Sequence, residues 1–299
     1  MEQEIITIDN KEYNLNDYTF PKWLSPTSIT SYLENQEGWF KDKILRIPKR
    51  SIYLTGGSGI HQFMEDFFSD TPTKDDDILS FKNKQFDKLL PTLFDFKDQN
   101  GELFSDLIDE MTEEGITVGE KLNYTREDVL RWINFYFDRW LVNAIADEKK
   151  KGTKYAWKQH SPFKNEMQLE ISSIRVHGFV DAYYKDYWHA FSETVGNMVV
   201  DYKTSKQSAG TNYTNYILQM KIYSLMIREI GDKVSWMAID FIKTGDKHII
   251  PVNDDMLDKT KELILRIWKE IEEKGMDYSL YLNKKDSMKH TYLNYRDLY

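Results

Sequence analysis

Between Val176 and Lys206 lie two aspartates and a lysine whose spacing suits a divalent cation and a phosphate. Gly178-Phe179-Val180-Asp181 is followed, a short hairpin later, by Val199-Val200-Asp201-Tyr202-Lys203-Thr204-Ser205-Lys206. Each half is an apolar run that ends in a carboxylate, and the second carries Lys203 two positions beyond Asp201. Strand side chains alternate faces, so Asp201 and Lys203 point the same way. If the two runs pair as antiparallel strands, Asp181 approaches Asp201. Two carboxylates and an ammonium then meet at one sheet edge, a set that suits a hard cation and a scissile phosphate. Either aspartate alone reads as a turn residue or a solvated strand end. The pair reads differently, because Asp201 closes the buried-looking run Asn197-Met198-Val199-Val200, where a carboxylate is costly unless paired or metal-bound.

The elements that must position these residues follow from apolar spacing and capping residues. Ile5–Ile8 and Tyr13–Leu15 read as a short strand pair. Ser25-Pro26-Thr27 opens a helix with a capping residue and an early proline, and Ile29, Tyr32, Leu33, Trp39 and Phe40 carry its apolar pattern. Thr55-Gly56-Gly57-Ser58-Gly59 reads as a glycine-rich loop leading into a helix over Ile60–Phe68. It lacks the lysine and hydroxyl of a nucleotide-binding P-loop, so close packing against a sheet is the expected use of its glycines. Residues 70–124 are acidic and read as a helical insertion with loops. Thr125 caps a helix with Asp128 at the capping-box position. The stripe Val129, Trp132, Ile133, Tyr136, Phe137, Trp140, Leu141, Ala144 is core, and Gly152 stops the helix. Strands are expected at Glu166–Ile171, Arg175–Tyr184, Gly196–Tyr202, Ser235–Ile242 and Lys247–Val252. Helices are expected at Thr214–Ile230, closed by Gly231, and at Met256–Lys274, ending at Gly275. This order predicts an α/β (α+β) fold with a central mixed sheet flanked by helices. Residues 1–299 are expected to form one domain. Its core spans about 24–245, a helical insertion about 70–150, and a C-terminal helix and tail 253–299.

Composition narrows the class. Hydrophobic residues are 40% and charged residues 30%, ordinary for a soluble globular protein, and 14% aromatics argue against disorder. There is no cysteine, which removes disulfides, zinc–thiolate sites, iron–sulfur clusters and cysteine nucleophiles. An intracellular, cytoplasmic location fits this. The start Met1-Glu2-Gln3-Glu4 lacks the pattern of a signal peptide, and no apolar run reaches the roughly 20 residues of a membrane span. A net charge of −9 argues against a large nonspecific nucleic-acid coat, but a site needs only local positive charge. One basic run, Lys41, Lys43, Arg46, Lys49 and Arg50, reads first as a solvated helix face and second as a phosphate-tracking patch. The Lys-, Asn- and Tyr-rich composition suits a phage or mobile-element protein.

Further residues join the aspartates in order along the chain. His61 lies in Gly59-Ile60-His61-Gln62-Phe63-Met64-Glu65, and Gln219 and Tyr223 lie in Gln219-Met220-Lys221-Ile222-Tyr223, one helical turn apart. Each alone reads as packing or surface. Together with Asp181 and Asp201-Tyr202-Lys203, and with the Ser-rich opening Leu24–Leu33, the series resembles the PD-(D/E)XK nuclease superfamily. The likeness runs over about residues 24–245 and is strongest to the RecB-type exonuclease branch, which includes nuclease subunits of recombination helicases and standalone phage and CRISPR-type exonucleases.

The resemblance implies roles residue by residue. His61, Asp181 and Asp201 would hold metal, with the Tyr202 carbonyl completing the shell. Lys203 would be the catalytic lysine, and Gln219 and Tyr223 the motif behind the site that positions substrate phosphate or the lysine. Some relatives carry a further acidic residue where Glu166 and Glu170 lie, and strand-edge solvation accounts for either equally well. Glu65 reads as solvated face or as support for His61, and His177 as a strand residue. Many standalone relatives clamp an iron–sulfur cluster with four cysteines. None exist here, so packing must close the two ends, with the aromatic tail Tyr278, Tyr281, Tyr292, Tyr295 and Tyr299 as the candidate. The implied activity is Mg²⁺- or Mn²⁺-dependent hydrolysis of DNA by an exonuclease acting on single strands or duplex ends in recombination, repair or replication, with a helicase or recombination partner and no membrane. A structure-specific endonuclease and a catalytically inert nucleic-acid-binding module are the alternatives.

Overall fold

The period-two and period-3.6 patterns meet in a layered α/β arrangement. The computed structural model describes residues 5–47, 52–98, 101–113, 125–189, 192–205 and 211–282. An N-terminal hairpin of β1 (Ile5–Ile8) and β2 (Lys11–Asn14) turns at Asp9 and Asn10, whose φ of 50° and 63° suits their short polar side chains. The main sheet has five strands in the order β3 (Lys164–Ile171), β4 (Val176–His189), β5 (Thr194–Lys203), β6 (Trp236–Phe241) and β7 (Lys247–Pro251). β5 and β6 run parallel and the other neighbours antiparallel, so the sheet is mixed.

Consecutive residues of β5 feed two different cores, as strand alternation requires. Val199 joins the core formed with α1 (Pro26–Glu34), α2 (Gln36–Lys43), α8 (Thr211–Glu229) and α9 (Asp254–Lys274). Val200 joins the core formed with α3 (Ile52–Ser69), α4 (Ile78–Leu89), α5 (Phe104–Glu113) and α6 (Arg126–Lys151). A short α7 (Thr153–His160) packs Ala156 with Ile78, Leu141 and Ala144 in a smaller cluster. The expected mixed sheet flanked by helices is therefore the observed fold. The capping expectations hold as well. Ser25 Oγ accepts from the Ser28 N–H at 3.1 Å, and Thr125 and Asp128 form the reciprocal capping box.

Two local expectations are corrected, and one short helix, α7, is unexpected. The glycine run Gly56–Gly59 is not a loop before a helix but lies inside α3, which begins at Ile52. Each glycine costs about 1 kcal/mol in a helix interior, and at two of them a Cβ would just touch its neighbours. A Cβ at Gly57 would lie 3.4 Å from Thr204 Oγ1, and one at Gly59 would lie 3.4 Å from Phe96 and Phe104. The apolar pattern through Trp39 and Phe40 spans two helices, because Asn35 is extended (φ −156°, ψ 94°) and caps the second by accepting from the Gly38 N–H. α7 is too short to show a period and follows directly on Gly152. In the basic run, Lys41 pairs with Glu37 at 2.9 Å and Lys43 with Asp42 at 3.1 Å, as on an ordinary solvated helix. Lys49 and Arg50 lie outside the described residues. No helix among the described residues is long and apolar enough to cross a membrane.

Aromatic packing joins the two ends of the described chain. Tyr281 is fully buried; its ring stacks on Trp39 at 5.9 Å and tilts against Phe40 at 4.8 Å. Tyr278 meets Phe40 at 5.2 Å, and the Tyr281 hydroxyl donates to the Gly275 carbonyl. Tyr292, Tyr295 and Tyr299 lie outside the described residues. Replacing a ring packed this way leaves a cavity, so Tyr281→Ala is expected to lower stability by about 3–5 kcal/mol. A shift of the urea midpoint at unchanged m-value checks this, and a change below about 1 kcal/mol would show that the clasp is peripheral.

Candidate active site

Asp201 needs a strand whose neighbours exclude water on both sides, and β5 supplies it. β5 is the middle strand of the sheet, so Asp201 and its companions lie over the sheet centre rather than at an edge, correcting that expectation. Ala182 pairs with Val200, which sets Asp181 opposite Asp201. Asp181 does not end its strand, since β4 continues to His189. Val180 belongs to one core and Ala182 to the other, so strict alternation breaks at the aspartate itself.

Asp181 and Asp201 are 9% and 2% exposed, and each has a cationic partner. Asp181 Oδ2 lies 3.3 Å from His61 Nδ1 and accepts the Tyr202 backbone N–H at 2.7 Å. Helix α3 delivers His61 because Ile60, Phe63, Met64 and Phe67, at helical spacing, are buried beneath it. Asp201 Oδ2 lies 2.6 Å from Lys203 Nζ. That contact is a close ion pair without hydrogen-bond direction, and the oxygen is buried without a hydrogen-bond partner. Lys203 Nζ donates to Gln219 Oε1 at 3.0 Å, and Gln219 Nε2 donates to the Tyr223 hydroxyl at 3.2 Å. Gln219 and Tyr223, one turn apart on α8, thus form a relay ending on the lysine. Tyr216, which sequence reasoning passed over, puts its ring 4.7 Å from the same ammonium. Gly178 makes room for this row, since a Cβ there would lie 3.0 Å from Pro26 and 3.3 Å from Tyr223.

The choice between Glu166 and Glu170 is a matter of register. Asn165 pairs with Ala182 and Met167 with Val180, so Glu166 sits opposite Asp181, whereas Glu170 pairs with His177 and is exposed. One ligand atom each from His61, Glu166 and Asp181 lie within 4.8 Å of one another. Glu166 holds a positive φ of 41°, backbone strain that a side chain normally avoids. Asp201 stands beside this trio, engaged with Lys203. The Tyr202 N–H holds Asp181, and the Tyr202 side chain packs in the α3–α6 core. Glu65 and His177 line the same cleft of about 1070 Å³, which also exposes Leu54 and Phe179.

The electrostatics separate the carboxylates. Burial alone would raise Asp181, but the His61 charge and hydrogen bond, with Lys203 and the Tyr202 N–H, hold it below the usual range. Asp201 is pushed up to about 6 by burial and by the Asp181 charge, against the pull of Lys203. Burial and the Asp181 charge push Glu166 up to about 7. Burial would lower Lys203, yet the two aspartates raise it, so it stays charged. His61 would also fall on burial, but Asp181 raises it to about 9. A divalent cation would replace that imidazolium proton. Oxygen and imidazole donors of His61, Glu166 and Asp181, converging on one spot, fit a small hard cation.

A family profile and a solved structure match the chain. A sequence profile of the PD-(D/E)XK nuclease superfamily matches residues 23–277. The crystal structure of a protein from Eubacterium rectale, provisionally described as an exonuclease, matches with a TM-score of 0.43 and 14% identity, over 84% of this chain and 80% of that one. No curated protein matches the chain.

In the metal-free protein the His61–Asp181 pair is expected to be visible by titration. A raised histidine pKa contributes stability that is full below about pH 6.5 and is lost as pH rises through about 9. Histidine NMR signals followed in EDTA should show His61 titrating near 9, well above the ordinary imidazole value of 6.5, and Asp181→Asn should return it toward or below 6.5. A wild-type His61 titrating near 6.5 would show that Asp181 is not its partner.

Proposed function

The chain belongs to the PD-(D/E)XK nuclease superfamily, and we propose that, as a single nuclease domain, it hydrolyses DNA phosphodiester bonds as an exonuclease on single strands or duplex ends. The observation that carries this reading is the convergence of Asp181, Asp201, Lys203 and His61 in one cleft, backed by Gln219 and Tyr223. A module that only binds nucleic acid gains nothing from burying two carboxylates against a lysine. The order of motifs, from the Ser-rich start to the Gln219–Tyr223 turn, supports the RecB-type branch, with a role in recombination, repair or replication and a helicase-like partner.

Nucleases of this superfamily use divalent metals. His61, Asp181 and Asp201 would hold the ion, and the position of Glu166 beside His61 and Asp181 makes it a fourth ligand candidate. When bound, Mg²⁺ or Mn²⁺ supplies Lewis acidity toward the phosphodiester and toward water. Imidazole in the set tilts the preference toward Mn²⁺. Lys203 keeps its proton and points its charge to where negative charge grows on the phosphate. Gln219 fixes the ammonium, and Tyr223 fixes Gln219, so that charge is aimed before substrate arrives. The Asp181 carboxylate is held in place by the Tyr202 N–H, and His61 would have to be unprotonated to hold the ion.

Asp201→Ala is expected to abolish cleavage while circular dichroism shows the fold intact, and Lys203→Ala to slow it by about 100-fold or more. Full activity in Asp201→Ala would sink the reading. End-labelled linear and covalently closed single-stranded DNA, incubated with Mn²⁺, Mg²⁺ or EDTA, separate the modes. Metal-dependent loss of the linear strand alone supports the exonuclease. Cutting of the circle points to an endonuclease of the same fold.

A further inference from the structure

A second large cavity, of about 1130 Å³, opens between α6, α7 and strands β4 to β7 and shares no lining residue with the cleft of Asp201. Its walls mix aromatic side chains with charged ones of both signs. Trp188 is 50% exposed and pairs across the hairpin with Val195, itself 57% exposed. Together they form a small exposed apolar patch on the cavity wall. Trp140 lines the cavity with its indole fixed by a 2.7 Å hydrogen bond from Nε1–H to the His160 carbonyl. A bulge between Tyr184 and Tyr187 adds a residue to β4, and both tyrosines pack toward the same core, where strict alternation would oppose them.

Charge and hydrogen-bonding capacity are also unspent there. Arg139 and Lys150, eleven positions apart and so on one face of α6, line the cavity, and neither makes an ion pair with a described residue. Asp240 is 3% exposed and lines the cavity from β6. Its Oδ2 pairs with Lys247 Nζ at 2.9 Å, while Oδ1 is buried without a hydrogen-bond partner. A buried carboxylate oxygen left without a donor is a standing cost to the fold.

We propose that this cavity binds a nucleotide. Its base would stack on the Trp188 and Trp140 walls, an N–H of the base edge would face Asp240, and the phosphate would meet Arg139 and Lys150. An inorganic anion would leave the aromatic walls unused, and an apolar peptide would leave Asp240 and the cations unused. A nucleotide uses all three, since aromatic side chains stack bases of any sequence and basic residues hold the phosphate. A free mononucleotide and a nucleotide within a strand present the same chemistry. The nuclease reading supplies the source of either but not the geometry.

Calorimetric titration in EDTA, where cleavage stops, tests this with deoxyadenosine 5′-monophosphate and with a deoxyadenosine decamer. Trp188→Ala, and separately Arg139→Ala, are expected to weaken binding by about tenfold or more. Loss with the mononucleotide supports a free-nucleotide site; loss with the decamer alone supports a strand-borne one. Unchanged affinity in both variants overturns the proposal, as does a loss confined to Lys203→Ala, which would assign the binding to the cleft. A wild type that cleaves nothing under any metal would sink the nuclease reading and leave this titration standing.

Discussion

Two carboxylates and an ammonium held together in the middle of a sheet are the constraint from which the surrounding arrangement follows. None of the three could be buried alone, because an unpaired charge in an apolar interior costs far more than a domain's net stability. Asp181 therefore lies against His61 and the Tyr202 N–H, and Asp201 against Lys203. The pairings do not fully offset burial: burial first, and the Asp181 charge after it, raise Asp201 to about 6 and Glu166 to about 7. A divalent cation would offset that cost. The site is in this sense less comfortable empty than filled.

The sheet and the two helical layers divide this task. The α3 side brings the imidazole, and the α8 side brings the amide and phenol that steady the lysine. The two cores are distinct, yet both reach β5, and the aspartate lies where they meet. Gly57 and Gly178 mark the closest approaches on either side, to Thr204 and to Pro26 and Tyr223. At Gly178 a side chain would crowd Pro26 and Tyr223, whereas at Gly57 a Cβ would just touch Thr204.

Much of this was legible in the sequence, and what was not has a common cause. Asp201 and Lys203 share a face because strands have period two, and that needs no tertiary knowledge. The caps at Ser25 and Thr125 are likewise local chemistry. Glu166 could not be told from Glu170, because only the register of β3 on β4 decides which glutamate meets Asp181, and register is a property of the pair. The helical state of Gly56–Gly59 was hidden because propensity argues against it, and the packing of α3 that overrides propensity joins Ile60, Phe63 and Phe67 to Phe137 and Tyr202, distant in sequence. Tyr216 gave no signal, being one aromatic among many on α8.

The contact of Tyr281 with Trp39 and Phe40 also sets a schedule. These rings are separated by some 240 positions, so during synthesis the N-terminal helices emerge long before the partner that covers them. At about 5–20 residues per second the wait is on the order of ten seconds or more. For that interval Trp39 and Phe40, each 1% exposed or less in the finished fold, have no lid. The early helices must then stay loosely ordered or be shielded by a chaperone, and contacts of such long range slow the final step further. The cover over Trp39 and Phe40 is thus completed only after every residue of the cleft, from His61 to Tyr223, has already been made.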